Sequence, residues 1–134
     1  MDKSLEFAYK VLREHDMKHN SSVMFDIDET LITNDGYPIQ PMIQLAKDAS
    51  TMGYTIVILT ARPSKYRKPT EEELAYFNIP YDQLGFVHAK YKGWVKQNMD
   101  NYFVLSIGDQ WTDCTETEHY IKMPDLYDNR YFIR

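Results

Sequence analysis

The sequence lacks the features that mark several common protein classes. It contains a single cysteine, Cys114, which excludes an intrachain disulfide and a cysteine-rich zinc site. No apolar run approaches the roughly 20 residues that a membrane-spanning helix needs, and no apolar stretch of signal-peptide length follows Met1. From these absences we expect a soluble, cytoplasmic protein with no membrane partner.

Positive charge is also scarce. Fifteen lysines and arginines stand against twenty acidic residues, which gives a net charge of −5. This sign argues against a general nucleic-acid binder, although it does not exclude a local basic groove. One basic stretch does occur, formed by Arg62, Lys65, Arg67 and Lys68. A solvated loop is its default interpretation, and Arg62 is also a candidate contact for a substrate phosphate.

What the chain does contain is a regular alternation of helix and strand patterns. Its 134 residues, 43% of them hydrophobic, suit one domain over residues 1–134 with one core. An amphipathic helix is predicted at about residues 3–19. Strands are then predicted at 22–27, 55–59, 85–88, 102–107 and 120–123, with helices from Pro41 to just before Gly53, from Thr70 to Phe77 and from Gly93 to Met99. Thr70 and Glu73 have the spacing of a capping box at the start of the second of these helices.

This alternation predicts an α/β fold of three layers, Rossmann-like, in which helices cover both faces of a central, mostly parallel sheet. In such folds the ligand lies beyond the carboxyl ends of the strands. The residues that close each predicted strand are therefore the candidates for function.

The first strand ends in the most informative segment of the chain, residues 25–31. Asp26 and Asp28 are one residue apart, so on a strand they project from the same face while Ile27 points away. Two adjacent carboxylates repel one another unless a cation or a proton lies between them. The pair therefore indicates a site for a divalent cation and a phosphate ester.

Other polar residues close the later strands. Thr60 follows the second strand and can donate a hydrogen bond to a phosphate oxygen, although a threonine there is also an ordinary β-former. Asp109 and Asp113 follow the fourth strand and can face the first pair, although Asp113 also suits a helix cap. Several carboxylates meeting in this way suit Mg²⁺. Either Lys90 or Lys92 can supply a positive charge.

These residues resemble the haloacid dehalogenase (HAD) superfamily and, within it, the phosphatases. The segments 26–30, 56–60 and 108–113 are similar to its Asp-x-Asp-x-Thr, hydrophobic-strand-to-Thr and Gly-Asp-x-x-x-Asp signatures, and a lysine precedes a helix between the last two. More narrowly, segments 59–63, 91–93, 108–113 and 122–124 resemble the acid phosphatases of plant and bacterial class B type. The resemblance covers residues 22–123.

The resemblance implies a role for each matching residue. Asp26 would be the nucleophile that forms an aspartyl phosphate, and Asp28 would be the general acid and base. Magnesium would be held by Asp26, the backbone carbonyl of Asp28 and Asp109, with Asp113 as a direct or water-mediated ligand. Thr60 would bind a phosphoryl oxygen. The lysine would pair with the nucleophile, and the context of Tyr91 favours Lys92 over Lys90.

The chain departs from many members of that superfamily in one respect. Only 31 residues separate Asp28 from Thr60, which leaves no room for a large cap domain. We therefore expect a minimal, uncapped fold in which the cap is absent or reduced to the turn at 33–39. The predicted lid is residues 34–38, where Tyr37 is a candidate contact for substrate. An open site admits bulky substrates.

The leading hypothesis is a hydrolase, specifically a magnesium-dependent phosphomonoesterase acting through an aspartyl phosphate. An open site also permits two alternatives, a polynucleotide end phosphatase or a phosphoprotein phosphatase. A catalytically silent binding module with the same fold is a third alternative, and the complete set of acids argues against it. The sequence leaves the natural substrate, the pathway and homo-oligomerisation open.

Overall fold

The computed structural model describes residues 3–123, so Pro124 of the segment at 122–124 lies outside the described residues. The helices are α1 (Lys3–Glu14), α2 (Gln40–Thr51), α3 (Arg67–Tyr76) and α4 (Lys92–Gln97). The strands are β1 (Ser21–Phe25), β2 (Thr55–Thr60), β3 (Gln83–Phe86), β4 (Tyr102–Gly108) and β5 (His119–Lys122). Short 3₁₀ turns follow three of the strands, at Ser64–Tyr66, Ala89–Tyr91 and Trp111–Cys114.

The described strands form one parallel sheet in the order β3-β2-β1-β4-β5. Val23 in β1 pairs with Ile56 on one side and with Leu105 on the other. The chain order reverses at β1, which makes the crevice beyond the carboxyl ends of β1 and β4 the expected ligand site. The predicted α/β fold with a parallel sheet is confirmed, and β5, predicted as a strand at 120–123, lies at one edge of the sheet.

Apolar side chains pack on both faces of this sheet. Val23 and Phe25 of β1 face the larger core, together with residues of α1 and α2. Met24 points to the other face, where it packs with Val57 and Phe103. The alternation follows from the pleat of a strand that is buried on both sides, which explains why β1 and β2 read as continuous apolar runs.

The predicted ends of α1 and β1 differ from the structure because of local turns. α1 ends at Glu14 rather than near residue 19, and β1 ends at Phe25 rather than at Ile27. Beyond β1 the backbone turns tightly, and the N–H groups of Thr30, Leu31 and Ile32 all donate to the Ile27 carbonyl. Asp26 and Asp28 therefore lie on a turn just past the strand.

The predicted capping box at Thr70 and Glu73 is wrong. α3 begins at Arg67, three residues earlier, and no side chain caps its start. Pro69 explains the earlier start, because a proline fits the first turn of a helix, where its missing N–H has no partner to lose. Thr70 is buried inside the helix instead.

The absence of a large cap domain is confirmed between Asp28 and Thr60. This stretch holds only a short turn, α2 and β2. In the turn, Ile32 bridges to Pro38 and Thr33 donates its N–H to the Tyr37 carbonyl, with Gly36 at a φ of +87°. Within the described residues, no helix combines the length and the apolar character that crossing a bilayer would require.

Candidate active site

A cavity of about 300 Å³ lies at the carboxyl edge of the sheet, beyond β1, β2 and β4. Its charged lining consists of Asp26, Asp28, Arg62, Lys92 and Asp109. The topology brings these residues together from segments that are far apart in sequence, because parallel strands present their carboxyl ends at one edge. Most of the residues predicted from the sequence thus meet in one place.

Three carboxylates form the centre of this site. Oxygens of Asp26, Asp109 and Asp113 all lie within 4.8 Å of one another. Asp26 is 6% exposed and Asp113 is fully buried. A buried cluster of this kind is unstable without positive charge, because burial and mutual repulsion both penalise ionised carboxylates.

The position of Asp113 depends on Gly108, the last residue of β4. A Cβ atom at Gly108 would lie 2.2 Å from Asp113 Oδ2, a distance that no side chain can accept. The same Oδ2 accepts a hydrogen bond from the Gln110 N–H at 3.1 Å, and the Asp113 N–H donates back to the Gln110 carbonyl at 2.9 Å. The glycine therefore lets the turn fold Asp113 back against the strand end.

Lys92 supplies positive charge to the cluster. Its side chain is 1% exposed, and Nζ donates to Asp26 Oδ1 at 3.0 Å and to Asp113 Oδ1 at 2.7 Å. Lys90 lies outside the cluster, exposed, with Nζ 5.1 Å from the centroid of the Tyr91 ring. Of the two lysines that the sequence offered, the structure brings only Lys92 to the carboxylates.

The protonation of this cluster favours a cation. Burial raises the pKa of Asp26 well above its ordinary value, the nearby charge of Lys92 opposes this rise, and the charge of Asp113 adds to it. Burial lowers the pKa of Lys92, but Asp26 and Asp113 outweigh burial and raise it overall. The Lys92 ammonium thus pairs with two of the three carboxylates, those of Asp26 and Asp113. An oxygen-only donor set with excess negative charge fits Mg²⁺.

The side chain of Asp28 does not join the three carboxylates. It pairs with Arg62, whose Nη2 lies 2.8 Å from Asp28 Oδ1 and whose Nε lies 3.1 Å from Oδ2. The Asp28 side chain is 41% exposed and lines the cavity. Asp28 therefore stands beside the cluster with an accessible carboxylate, and its side chain is not part of the predicted metal-ligand set in this arrangement.

Arg62 is held in place by two residues of α3 that the sequence analysis assigned elsewhere. Its Nη1 donates to Glu73 Oε1 at 2.8 Å and to Thr70 Oγ1 at 3.2 Å. Hydrogen bonding to Asp28 raises the pKa of the Arg62 guanidinium, and Glu73 adds to this. The spacing of Thr70 and Glu73, taken from the sequence as a helix cap, instead places both side chains on the side of α3 that meets Arg62.

Thr60 and Tyr37, two further predicted residues, have different surroundings. Thr60 is fully buried at the end of β2, and its Oγ1 accepts a hydrogen bond from the Arg62 N–H at 3.2 Å. Tyr37 is 58% exposed in the turn before α2 and is not among the residues that line the cavity. The contact between Tyr37 and substrate stays a prediction.

Lys96 is a buried charge at the site that the sequence analysis did not single out. It is 2% exposed, and Nζ donates to Ser106 Oγ at 2.9 Å, to the Asp113 carbonyl at 3.1 Å and to the Thr115 carbonyl. Burial lowers the pKa of Lys96 to about 8. The available signal was Ser106, a lone polar residue inside the otherwise apolar strand β4.

Comparisons with known proteins agree with this geometry. A family model described as HAD superfamily, subfamily IIIB (acid phosphatase), matches residues 37–130. The match begins after Asp26 and Asp28, so the arguments for those two residues rest on the site itself. The comparison with curated proteins gave no match.

Two similar solved chains come from complexes of several proteins. One, from the Pnkp1/Rnl/Hen1 complex, is 25% identical with a TM-score of 0.62, over 72% of this chain and 42% of that one. The other, from the Pnkp1/Rnl/Hen1 RNA repair complex, is 24% identical with a TM-score of 0.60, over 73% of this chain and 39% of that one. The present chain thus spans less than half the length of either similar chain, and the second likeness bears on the fold alone.

Proposed function

Because the chain belongs to the HAD superfamily, subfamily IIIB, a family of acid phosphatases, we propose that it is a magnesium-dependent phosphomonoester hydrolase acting through an aspartyl phosphate. The observation that carries this proposal is the hydrogen bond from Lys92 to Asp26 within a cluster of three carboxylates, with the accessible carboxylate of Asp28 alongside.

Asp26 acts as the nucleophile in this proposal. A carboxylate oxygen of Asp26 attacks phosphorus in line, the bond from phosphorus to the leaving oxygen breaks, and the phosphoryl group passes to Asp26. Lys92 donates to Asp26 Oδ1 and so orients the carboxylate and limits its charge. Thr60, buried at the adjoining strand end, donates its hydroxyl to a phosphoryl oxygen.

Asp28 carries the proton in both halves of the reaction. In the first half it gives a proton to the leaving oxygen. In the second half it takes a proton from the attacking water, whose oxygen bonds to phosphorus while the bond from phosphorus to Asp26 breaks and inorganic phosphate leaves. Arg62 fixes the orientation of the Asp28 carboxylate through two hydrogen bonds. Arg62 is itself anchored by Glu73, so we assign it the positioning of Asp28 before any contact with substrate phosphate.

The magnesium ligands in this proposal are Asp26, Asp109 and Asp113 with the backbone carbonyl of Asp28. When bound, the ion neutralises the carboxylates and withdraws charge from the transferring phosphoryl oxygens. The chain holds one of these acids, Asp113, in place through the missing side chain of Gly108 and the hydrogen bond from the Gln110 N–H.

An aryl phosphate assay with trapping of the phosphoenzyme tests this function. Turnover should require Mg²⁺ and stop in excess chelator. Asp26→Asn should abolish turnover and accumulate no phosphoenzyme. Asp28→Asn should slow turnover by roughly 10²- to 10⁴-fold and accumulate phosphate on Asp26, because an aryl leaving group needs little acid help whereas the water still needs its base.

The exposed Asp35 in the turn before α2 offers a matched control. Asp35→Asn should leave turnover and phosphoenzyme levels as in the unmodified protein. Full activity in excess chelator, or a phosphoenzyme in the Asp26→Asn variant, would contradict the proposal. Intact-mass measurement after rapid quenching, followed by peptide mapping, reads both outcomes.

A further inference from the structure

Two segments of the chain beside the cavity contain basic residues but no acidic residues. Residues 61–70 follow β2 and contain four basic residues, while residues 83–99 run from β3 through α4 and contain three lysines; neither segment has an aspartate or a glutamate. The whole chain has a net charge of −5. Arg62 and Lys92 are paired with carboxylates and Lys96 is buried, so the exposed cations of the two segments are Lys65, Arg67, Lys68 and Lys90.

Aromatic rings are interleaved with these cations. Lys65 Nζ lies 5.2 Å from the centroid of the Tyr66 ring, and Lys90 Nζ lies 5.1 Å from that of Tyr91. Tyr66 is 48% exposed and Tyr91 is 51% exposed. Arg67 Cζ lies 4.6 Å from the centroid of the Phe86 ring. This contact joins the two segments into one surface. We call the six residues Lys65, Tyr66, Arg67, Phe86, Lys90 and Tyr91 the β3-side surface.

The β3-side surface is continuous with the cavity. The same segments supply Ala61 and Arg62 on one side of the cavity and Ala89 and Lys92 on the other. Arg62 also borders an adjoining hollow that Tyr66 lines. A phosphate group in the cavity therefore lies next to both segments that carry this surface.

The cations in these two segments differ in whether a carboxylate pairs with them. Arg67 has Glu71 as an ion-pair partner at 3.8 Å. Among residues 3–123, no carboxylate lies within ion-pair distance of Lys65, Lys68 or Lys90. Such cations are available for negative charges on a ligand.

We propose that the β3-side surface binds a single-stranded polynucleotide whose terminal phosphate enters the cavity, an inference that rests on the function proposed above. A single-stranded polynucleotide presents alternating phosphates and bases. These match the alternating lysines and exposed tyrosine rings of the surface. Bases can stack on Tyr66 and Tyr91 only when they are unpaired, which favours a single strand over a duplex. A phosphopeptide would supply the terminal phosphate without the repeating negative charge.

The expectation that the chain is no general nucleic-acid binder is unaffected. The proposal concerns one strand end at one surface, and the negative charge of the remainder opposes binding elsewhere. RNA and DNA share the chemistry invoked here, so both belong in the experiment.

Steady-state kinetics on phosphorylated tetranucleotides test the proposal. The 5′- and 3′-phosphorylated forms, in DNA and RNA, are compared with the corresponding mononucleotides, a phosphopeptide and an aryl phosphate. The tetranucleotide should have a KM about tenfold below that of the mononucleotide, because base stacking on aromatic side chains adds affinity. The aryl phosphate serves as the reference substrate for every variant.

Two double variants probe the surface. Tyr66→Ala with Tyr91→Ala should raise the tetranucleotide KM about tenfold relative to the aryl phosphate KM. Lys65→Ala with Lys90→Ala should make the dependence of log KM on log salt shallower by about 1.4, since each phosphate contact with a single strand contributes about 0.7.

Matched controls lie away from the surface. Lys18 lies over Tyr102, at the opposite edge of the sheet, and Tyr76 is 79% exposed near the end of α3. Lys18→Ala and Tyr76→Ala should leave the tetranucleotide KM and its salt dependence unchanged.

The outcomes separate this inference from the function on which it rests. Magnesium-dependent aryl phosphate turnover with no difference between mononucleotide and tetranucleotide, or between surface variants and controls, would overturn the inference alone. A phosphopeptide with the lowest KM would also overturn it. If no phosphate ester is turned over, the proposed function fails, and fluorescence anisotropy of a labelled tetranucleotide with the unmodified protein and the variants still decides the binding surface.

Discussion

The two edges of the sheet bury polar side chains in different ways. At the amino edge, Ser22 is fully buried, donates to the Asn20 carbonyl at 2.7 Å and accepts from Asn101 Nδ2 at 2.9 Å. At the carboxyl edge, Asp26 and Lys92 are buried as a pair of ionisable groups, with Lys92 Nζ 3.0 Å from Asp26 Oδ1. Neutral groups that keep their hydrogen bonds cost little to bury, whereas each buried ion costs several kcal/mol before its partners offset that cost.

This difference indicates that the carboxyl edge is the functional edge of the sheet. At the amino edge Ser22 is held by hydrogen bonds between neutral groups, and Asp82, whose Oδ2 accepts the Ile56 N–H at 2.8 Å, is exposed rather than buried. The carboxyl edge holds Asp26, Asp113 and two buried lysines, an arrangement that a purely structural sheet end does not require. We therefore expect substitutions at the carboxyl edge to affect turnover strongly and those at the amino edge to affect only stability.

The largest contrast should come from removing one lysine at each edge. Lys92→Ala should lower aryl phosphate turnover by at least about 10²-fold, because Asp26 and the transferring group lose their donor. Lys18→Ala, which removes the exposed lysine over Tyr102, should leave turnover unchanged. Steady-state rates for both variants measure the contrast.

Lys92→Met provides a second form of this test, since it keeps most of the side-chain volume in the buried site. It should remain folded by circular dichroism and show the same loss of turnover as Lys92→Ala. Equal rates for the Lys92 and Lys18 variants would contradict the assignment of Lys92.

A smaller effect is expected from a methyl group at Gly108. The Cβ of Gly108→Ala would collide with the Asp113 carboxylate, which must then leave its place among the three acids. Because residues that orient metal ligands contribute about 10- to 100-fold to affinity, Mg²⁺ should bind more weakly by that order. Isothermal titration calorimetry in the absence of substrate measures this directly.

Gly85→Ala is the matched control for Gly108→Ala. Gly85 lies in β3, where an added Cβ would come within 2.9 Å of Leu59 Cδ2, the end of a flexible side chain that can move. Magnesium affinity should stay near that of the unmodified protein. If Gly108→Ala bound Mg²⁺ as tightly as Gly85→Ala, Asp113 would not be part of the metal site.

The sequence predicted the residues at the carboxyl edge better than the residues that hold them in place. Asp26, Thr60 and Asp109 were singled out as candidates because each lies at or just beyond the carboxyl end of an apolar strand, a local pattern that indicates where the sheet ends. The partners of Arg62 were missed because Thr70 and Glu73 also fit a local capping pattern, and only the packing of α3 distinguishes the two interpretations. Local patterns predict strand ends, while contacts between distant segments require the fold.

The burial of Lys96 also depends on contacts between distant segments, which its local sequence does not indicate. Its spacing within α4 carries no signal, since a lysine near the end of a short helix is usually solvated. Its burial follows from three acceptors on segments 10 or more residues away in sequence: Ser106, Asp113 and Thr115. Such a residue can be found from sequence only through its partner, the polar Ser106 within an apolar strand.

The smallest effects should distinguish two buried serines, one from each half of the sheet. Ser22 and Ser106 are both fully buried, and Ser→Ala removes the same hydroxyl from each. Ser22→Ala breaks hydrogen bonds between neutral groups and should cost about 1 kcal/mol in the free energy of unfolding, with no change in turnover. Ser106→Ala removes an acceptor from a buried ammonium, and hydrogen bonds to charged groups contribute about 1.5 to 3 kcal/mol. Ser106→Ala should therefore be the more destabilising of the two, and it should also lower turnover by a few fold, because Lys96 holds the Asp113 carbonyl.

Urea denaturation and aryl phosphate rates measure both quantities. Equal losses of stability with equal turnover would mean that Lys96 does not depend on Ser106 and that the charged edge is no more sensitive than the neutral one.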